Sequence, residues 1–376
     1  MKKVLILSFS TIASDPRVMR QVRLLENLHE LTIAGYGAAP ASKGRFVSVV
    51  KPQTPLFKKL LWGTRLLAGA FDAYYWALPQ VQNAAQALQG LDADLIIAND
   101  LPALPLALSL ARGQVPVFFD AHEYSPGEYE DQWLWRLLFQ RYVDDLCRRH
   151  LPRCAAMSTV CAGIADAYAS HYGVQPFVVH NAPMHQVLPV SPVADDRIRL
   201  IHHGVASRVR RLEGMIDMMK SLDERFTLDL MLVDAEPRYL ASLRQLAAHD
   251  TRIRFLPPVP MPDICKTLQP YDIGVFLLPP TSFNYRYALP NKFFEFVQAR
   301  LGVAIGPSPE MKALAEQHGC GVIANSFDPV DLAQALKSLT SDDVRRLKTA
   351  ANRAAPALGF EHDAARVLAT VERLLA

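Results

Sequence analysis

Short apolar runs alternate with amphipathic segments along the first half of the chain. The runs occupy residues 4–9, 31–36, 94–98, 115–119 and 177–180. Nearly continuous apolar runs are typical of strands that are covered on both faces of a parallel sheet. Between the first two runs, Val18, Val22 and Leu25 lie along one side of a helix predicted over residues 17–28. The alternation of strands and helices predicts a doubly wound α/β layer.

A second alternating series begins near residue 198. Its predicted strands are at residues 198–203, 227–233, 253–256, 273–278 and 303–306, and its predicted helices are at residues 210–222, 238–249, 330–339, 342–354 and 362–375. The two series predict two Rossmann-like halves, neither of which has a GxGxxG motif. Because ligands of open α/β sheets bind at the carboxyl ends of the strands, polar residues that follow the strands are the candidates for chemistry.

Three prolines within residues 183–192 are typical of a linker between the two halves. We therefore expect an N-terminal domain over residues 1–182, a linker over residues 183–197 and a C-terminal domain over residues 198–359. The helix at about residues 360–376 is expected to pack back on the first domain.

Residues 288–310, ALPNKFFEFVQARLGVAIGPSPE, combine a short predicted helix with a buried strand. Pro290 suits the start of the helix because it lacks an N–H that would be unsatisfied there. Lys292 lies in the first turn, at the positive end of the macrodipole, and Glu295 follows on the same face. An anion between the ammonium and the free N–H groups would explain the lysine. An ordinary Lys–Glu pair on the surface explains the segment equally well.

A second group of cations follows the strand predicted over residues 198–203. Gly204 comes directly after it, and Arg208, Arg210 and Arg211 crowd the loop and the first turn of the next helix. Guanidinium groups can bind phosphate oxygens in a bidentate manner, so this helix start also suits an anion. The alternative is a solvated basic turn, which is the commoner role of such runs.

Polar residues follow the strands of the first half as well. His122 comes just after the run at residues 115–119, and we expect its imidazole at the ligand-binding edge, oriented by the carboxylate of Asp120 or Glu123. A structural histidine is the alternative. Weaker candidates after two other strands are Asp15, Arg17, Asn99 and Asp100. The histidines expected to be structural are His180, His202 and His203.

Together these motifs resemble the donor-site signature of the family 4 glycosyltransferases, in which a proline and a lysine precede a phenylalanine–glutamate helix and a buried strand. The resemblance covers most of the chain and implies the GT-B fold, an α/β architecture of two Rossmann-like domains facing a central cleft. It implies a nucleotide-diphosphate sugar bound by the C-terminal domain and an acceptor bound by the N-terminal domain. His122 corresponds to the histidine near the reacting sugar. The donor-binding positions correspond to Gly204, Arg208, Arg211, Asn291, Lys292 and Glu295, with Arg210 as their neighbour.

One position departs from the family pattern. The second glutamate that usually stands eight positions before Glu295 is replaced by Tyr287. A tyrosine can still hydrogen-bond a sugar hydroxyl. The departure leaves open which sugar is transferred and whether its anomeric configuration is retained or inverted.

Composition excludes several other classes of protein. The 376 residues, half of them hydrophobic, suffice for two cores, and a formal charge of +3 lacks the clustered basic excess of a nucleic-acid-binding protein. Five cysteines without a CxxC pair indicate neither a disulfide framework nor a zinc site, and they fit a reducing cytoplasm. Asp92 and Asp94 have the spacing of a metal-binding pair but precede their strand. Because basic side chains can carry the charge of a leaving diphosphate, we expect neither metal nor cofactor.

The sequence has no run of about 18–20 apolar residues that would span a membrane, and its first apolar run is shorter than that of a signal peptide. Residues 57–78 and 133–153 each combine basic with aromatic side chains. Such stretches suit attachment to an anionic membrane surface, although packed helices with solvated basic faces explain them almost as well. We expect a cytoplasmic protein with peripheral attachment to the inner face of the membrane.

The expected activity is metal-independent transfer of a hexosyl or related sugar to a glycan or lipid-linked glycan, in bacterial surface polysaccharide or glycolipid assembly. Two alternatives use the same fold. One is a nucleotide-sugar epimerase or hydrolase, and the other is a non-catalytic homologue that binds nucleotide sugars.

Overall fold

Seven parallel strands form the sheet of the first unit, which comprises Met1–Val179, Ser282–Asn284 and Ala364–Ala376. The computed structural model describes residues 1–51 and 56–376, with the backbone alone for residues 56–61. The strands are β1 (Lys3–Thr11), β2 (Glu30–Tyr36), β3 (Arg45–Ser48), β4 (Leu95–Asn99), β5 (Val117–Ala121), β6 (Ala156–Thr159) and β7 (Phe177–Val178). Their spatial order is β3-β2-β1-β4-β5-β6-β7, so the chain starts inside the sheet and winds towards both edges.

Helices connect these strands. They are α1 (Pro16–Leu25), α2 (Leu56–Leu67), α3 (Phe71–Tyr75), α4 (Pro79–Ala87), α5 (Leu104–Ala111), α6 (Trp133–Trp135), α7 (Arg141–His150) and α8 (Ala162–Tyr172). A π-helical segment, Arg136–Gln140, joins α6 to α7. The side chain of Asp15 caps α1 by accepting the N–H groups of Arg17 and Val18. All residues of β4 and β5 are buried, as expected for central strands of a covered parallel sheet.

Six parallel strands form the sheet of the second unit, which comprises His180–Thr281 and Tyr285–Asp363. The strands are β8 (Ile198–Ala206), β9 (Phe226–Asp234), β10 (Ile253–Leu256), β11 (Ile273–Phe276), β12 (Gly302–Ile305) and β13 (Gly321–Ile323), in the order β10-β9-β8-β11-β12-β13. The remaining helices of the chain are α9 (Glu213–Met219), α10 (Pro237–Leu246), α11 (Ile264–Leu268), α12 (Phe283–Arg286), α13 (Asn291–Gln298), α14 (Pro309–His318), α15 (Pro329–Lys337), α16 (Ser341–Ala354) and α17 (Phe360–Leu375). Helix α12 begins in the first unit, and α17 belongs to the first unit from Ala364 onwards.

The two parallel sheets with their helices confirm the predicted α/β class, and two local boundaries correct the predictions. Strand β5 continues to Ala121, so Asp120 lies within the strand rather than after it. The helix predicted over residues 210–222 is the shorter α9, because Arg208–Arg210 form a 3₁₀ turn and Arg211 has a φ of 48°. A left-handed residue interrupts the helical path, so the arginines precede the helix instead of opening it.

Helix α13 is buried on every side, since all residues from Lys292 to Gln298 are buried. It packs against β11, β12, α11 and α16. Gly274 of β11 permits this approach, because a Cβ atom there would lie 2.2 Å from the nearest ring atom of Phe296. The contact between α13 and the sheet therefore fixes the start of the helix, where Lys292 lies.

Replacing Gly274 with alanine should lower the stability of the second unit. The added methyl group would displace the Phe296 ring, and overpacking of this kind costs about 1–3 kcal/mol. Thermal unfolding followed by circular dichroism measures the change. The matched control is Gly63→Ala in α2, where the added Cβ would meet no described atom within 4 Å. A melting temperature for Gly274→Ala equal to that of the native chain would contradict the close approach.

Candidate functional site

The first turn of α13 holds a lysine in the protein interior. Pro290 precedes the helix as its N-cap with an extended backbone, and Asn291 is its first residue. The side chain of Lys292 is only 6% exposed, and Glu295 one turn later is equally buried. The interpretation of these residues as a surface pair is therefore wrong.

The ammonium of Lys292 has no hydrogen-bond partner among the described residues. Its Nζ lies 4.4 Å from the centre of the Phe276 ring. It also lies 3.0 Å from the position that a Cβ atom would take on Gly204, and a guanidinium nitrogen of Arg210 lies 3.6 Å from that same position. Gly204 has a φ of 127°, a conformation that excludes most side chains. The absence of a side chain on Gly204 thus leaves space beside two cations.

Burial lowers the pKa of Lys292 well below its usual value, and the Arg210 guanidinium lowers it further, whereas Glu295 acts in the opposite direction. Burial also lowers the pKa of Arg210. Removing two neighbouring cations from water is unfavourable unless an anion compensates them. The arrangement is therefore suited to bind an anion.

Two adjacent histidines within β8, directly before Gly204, have different surroundings. His203 lies with its Nε2 atom 3.3 Å from a carboxylate oxygen of Glu295, and burial together with Lys292 lowers its pKa to about 3. The imidazole is therefore neutral at physiological pH. His203 was expected to be structural, but it lies in the buried polar cluster with Glu295. His202 stacks on Phe276 and contacts the Val275 carbonyl at 2.8 Å, a packing role in line with the expectation.

Of the three arginines before α9, the structure brings Arg210 to Lys292. Arg208 begins the 3₁₀ turn, and Arg211 follows it with a left-handed backbone. Both are exposed, and the Arg208 guanidinium lies 5.1 Å from the centre of the Tyr239 ring. Tyr287 is half-buried, with the Arg286 guanidinium 5.6 Å from its ring centre.

Asp120 and Arg17 form a buried ion pair in the first unit. Nε and Nη2 of Arg17 donate to the two carboxylate oxygens of Asp120 at 2.8 and 2.6 Å. Gln21 and Ser158 donate to the same carboxylate at 2.6 Å each. Burial alone would raise the pKa of Asp120, but Arg17 and the other donors hold it below the usual value. Arg17 is therefore a partner of Asp120 rather than the predicted acceptor contact.

His122 follows β5, and three side chains orient its imidazole. Its Nδ1 lies 3.1 Å from a carboxylate oxygen of Asp100, and its backbone N–H donates to the other oxygen at 3.0 Å. Its Nε2 lies 3.1 Å from the Asn99 side-chain oxygen and 3.7 Å from Asp120. Asp100 and Asn99 thus make the nearest orienting contacts, and the predicted Asp120 lies farther away. The Glu123 residue is exposed.

Asp100 holds an unusual backbone conformation, with φ 62° and ψ 156°. Non-glycine residues rarely occupy this region, and such strain clusters at functional sites. Burial alone would lower the pKa of His122, but the carboxylates of Asp100 and Asp120 raise it above its usual value. The imidazolium therefore stabilises the fold at low pH, and this contribution is lost as the pH rises through the folded-state pKa.

Residues 1–51 and 56–376 contain no group of three or more His, Cys, Asp or Glu that could hold a metal ion. Asp92 and Asp94 both contact Lys3. Asp92 accepts a hydrogen bond from its ammonium at 2.8 Å, and Asp94 accepts one from its backbone N–H at 2.7 Å. No helix in this part of the chain is both long enough and apolar enough to cross a bilayer.

Asp100→Asn should lower the pKa of His122, because it removes the nearest negative charge and keeps a side chain that tolerates positive φ. Histidine NMR titration measures the change, and His122→Gln assigns the signal. The other histidine signals in the same spectra are internal controls. If the His122 titration is unchanged in Asp100→Asn, the ion pair does not exist in solution.

Residues 17–182 match the family described as Glycosyltransferase Family 4. No curated protein is significantly similar to the sequence. Among solved structures, sucrose-phosphate synthase from Thermosynechococcus elongatus has a TM-score of 0.75 at 14% identity, over 100% of this chain and 99% of that one. The Anabaena protein HepE, solved in complex with UDP and glucose, has a TM-score of 0.68 at 14% identity, over 99% and 100% of the two chains.

WaaG, a glycosyltransferase involved in lipopolysaccharide biosynthesis, has a TM-score of 0.61 at 13% identity, over 96% of this chain and 98% of that one. Likeness at these identities establishes the fold, and it confirms the predicted GT-B class with two Rossmann-like domains. Residues 17–182 thus resemble the family 4 glycosyltransferases, and the whole chain has the GT-B fold.

Proposed function

We propose that this protein transfers a sugar from a nucleotide-diphosphate donor, bound by the second unit, to an acceptor bound by the first. The observation that carries the proposal is the buried Lys292 ammonium. It has no hydrogen-bond partner in the part of the chain that the structure describes, and it lies beside Arg210 and the open space over Gly204. A diphosphate would supply the missing negative charge to both cations. HepE was solved with UDP and with UDP-glucose, so uridine nucleotides are the first probes.

The proposed reaction is an exchange of bonds at the anomeric carbon of the sugar. The acceptor hydroxyl oxygen bonds to this carbon, the bond from the carbon to the diphosphate oxygen breaks, and the diphosphate leaves with the electron pair. The hydroxyl proton passes to a base. Lys292 and Arg210 would stabilise the charge that grows on the diphosphate, which is the task a metal ion performs in other enzymes.

The remaining site residues have proposed roles in the same reaction. Glu295, one turn after Lys292, would accept a hydrogen bond from a hydroxyl of the donor sugar. Tyr287 would hydrogen-bond a sugar hydroxyl in place of the usual second glutamate. His122, held by Asp100 and Asn99, would contact the reacting groups from the first unit. Of the arginines, Arg210 is the proposed phosphate ligand, because its guanidinium lies near Lys292.

Two other activities would use the same donor site, and one experiment separates them. The purified chain is incubated with a panel of nucleotide sugars, with and without a mixture of glycan acceptors, and the released nucleoside diphosphate is measured. Release that requires an acceptor supports a transferase. Release without an acceptor indicates a hydrolase, a rearranged donor indicates an epimerase, and binding without turnover indicates a non-catalytic homologue.

Lys292→Met should abolish most UDP binding and yet raise the melting temperature of the free protein. The substitution removes a buried charge without a partner, which relieves its desolvation penalty. It also removes charge-assisted hydrogen bonds to the diphosphate, which should cost about 1.5–3 kcal/mol of binding free energy. Because the anion binds the protonated ammonium, UDP affinity of the native chain should fall as the pH rises through the lowered pKa of Lys292. Thermal shift and calorimetry measure both effects.

The matched control is Lys312→Met, which removes an exposed lysine that pairs with Glu316 at 3.7 Å. This variant should bind UDP like the native chain, because surface pairs contribute little. Undiminished UDP affinity in Lys292→Met would refute the donor site. A lower melting temperature would instead show that the ammonium is compensated in the free protein.

We further propose that the acceptor is a bacterial surface glycan on a lipid carrier and that the protein attaches to an anionic membrane. Trp133, Leu134 and Leu137 expose 69%, 51% and 57% of their surface around α6, and the exposed Arg136 and Arg141 flank them. This combination supports an interfacial segment. Of the other predicted stretch, the side chains of Lys58 and Lys59 lie outside the described residues.

Arg136→Glu combined with Arg141→Glu should release the protein from vesicles that contain anionic lipid. Surface charges are screened over about 10 Å at 0.1 M ionic strength, so binding of the native chain should also weaken as salt rises. Co-sedimentation at two salt concentrations measures both effects. The control, Lys337→Glu with Arg353→Glu, makes the same charge change on the second unit and should bind normally. Equal binding of the native chain to neutral and anionic vesicles, or to neither, would refute the attachment.

A further inference from the structure

A pocket of about 300 Å³ lies in the first unit at the carboxyl ends of three neighbouring strands. Phe9 of β1, Asp100 after β4 and Glu123 after β5 line it. Ligands of open parallel sheets bind at this edge. Asp100 also contacts His122 at 3.1 Å, so the pocket adjoins the imidazole.

The pocket has a largely apolar wall with a fixed shape. The wall is formed mainly by Tyr74, Tyr75, Leu78, Val81, Tyr142 and Leu146. The hydroxyl of Tyr75 donates to the Pro102 carbonyl at 2.9 Å and accepts the Leu106 N–H at 3.1 Å. The rings of Tyr74 and Tyr142 meet edge to face, with their centres 4.9 Å apart. The tyrosines are thus held by one another and by the backbone.

The charged side chains that line the pocket are all acidic. They are Asp100, Glu123 and Glu128, and no lysine or arginine lies among the described residues that line it. Desolvation in the pocket raises the pKa of Glu123 to about 8 and also raises that of Glu128, and the charge of Asp100 contributes to both shifts. The negative charge of the pocket therefore grows as the pH rises above neutrality. Carboxylates accept hydrogen bonds from hydroxyl groups and repel phosphate. This polarity is opposite to that of the pair formed by Lys292 and Arg210.

We propose that this pocket binds the acceptor as an uncharged alcohol with an apolar face, and that it rejects groups that carry phosphate or carboxylate. The proposal rests on the proposed function and specifies its acceptor. The apolar face would lie on the tyrosine and leucine wall, and a hydroxyl held by Asp100 would lie beside His122. A sugar ring and an alcohol on an aryl or alkyl group both have this chemistry. The phosphate of a lipid-linked acceptor would have to remain outside the pocket.

Ligand-observed NMR with the full chain and no donor tests the proposal on matched pairs of probes. The pairs are methyl α-glucopyranoside with glucose 6-phosphate, and benzyl alcohol with benzyl phosphate. At least one neutral probe should bind. At a pH above about 8, where Glu123 is ionised, its phosphorylated counterpart should bind at least about tenfold more weakly, because the carboxylates repel it. Preference for the glucoside identifies a sugar ring as the acceptor group, and preference for benzyl alcohol identifies an aryl or alkyl alcohol. Equal binding within both pairs, or no binding of either neutral probe, would overturn the proposal.

Val143→Trp should fill the pocket and abolish binding of the neutral probe while UDP binding is unchanged, since half-buried Val143 lines the pocket on α7. The control is Gln86→Trp, an exposed position on α4, which should bind the probe normally. If Val143→Trp does not fold, Glu128→Lys tests the charge argument, because it should remove the tenfold preference. Retained probe binding in folded Val143→Trp, or an unchanged preference in Glu128→Lys, would overturn the proposal.

These measurements need no turnover, so the two proposals can fail separately. A chain that binds the neutral probe as described but transfers sugar from no donor would refute the proposed function and leave the pocket as described. A chain that transfers sugar equally well to an acceptor phosphorylated on the reacting ring would refute the pocket's selectivity and leave the transferase.

Discussion

The burial of α13 determines the chemistry of the second unit. Gly274 lets the Phe296 ring approach the sheet, and the helix is consequently enclosed on all sides. Its first turn therefore carries Lys292 into the interior, where an ammonium without a partner is unfavourable. A protein can retain such a charge when a ligand compensates it in the working state, and the neighbouring Arg210 and side-chain-free Gly204 support the proposal that this ligand is an anion. The packing of apolar side chains thus places the uncompensated positive charge of Lys292 at the site.

In the first unit, by contrast, the buried charge of Asp120 is compensated within the protein. Asp120 receives both arms of the Arg17 guanidinium and two further hydrogen bonds, so nothing remains for a ligand to satisfy. Breaking such a pair typically costs about 3–5 kcal/mol, because one charge is left uncompensated. The pair therefore anchors the end of β5 next to His122 and leaves the contact with substrate to residues that are partly exposed. The buried Asp120, which has partners within the protein, therefore has a structural role, whereas the buried Lys292 is the candidate for binding a ligand.

Much of the fold and part of the site could be predicted from the sequence. Alternating apolar runs indicated two parallel sheets, because covered parallel strands must be apolar on both faces. Lys292 stood out because its charge has the wrong sign for a helix start. Which of Arg208, Arg210 and Arg211 lies beside Lys292 could not be predicted. It depends on a 3₁₀ turn and on the left-handed φ of Arg211. The role of Asp100 depends on its backbone strain and on a partner 22 positions away, neither of which leaves a local signal.

The two candidate sites have opposite polarity, and the formal charge of +3 for the whole chain conceals this difference. A phosphate-bearing donor is attracted to the pair formed by Lys292 and Arg210 and repelled by the carboxylates of the pocket in the first unit. An uncharged alcohol gains little from the cations and can hydrogen-bond to the carboxylates. Charge sign alone would therefore direct each substrate to its own unit before shape contributes. For a transferase this sorting matters, because a second donor in the acceptor pocket would block transfer as effectively as an inhibitor.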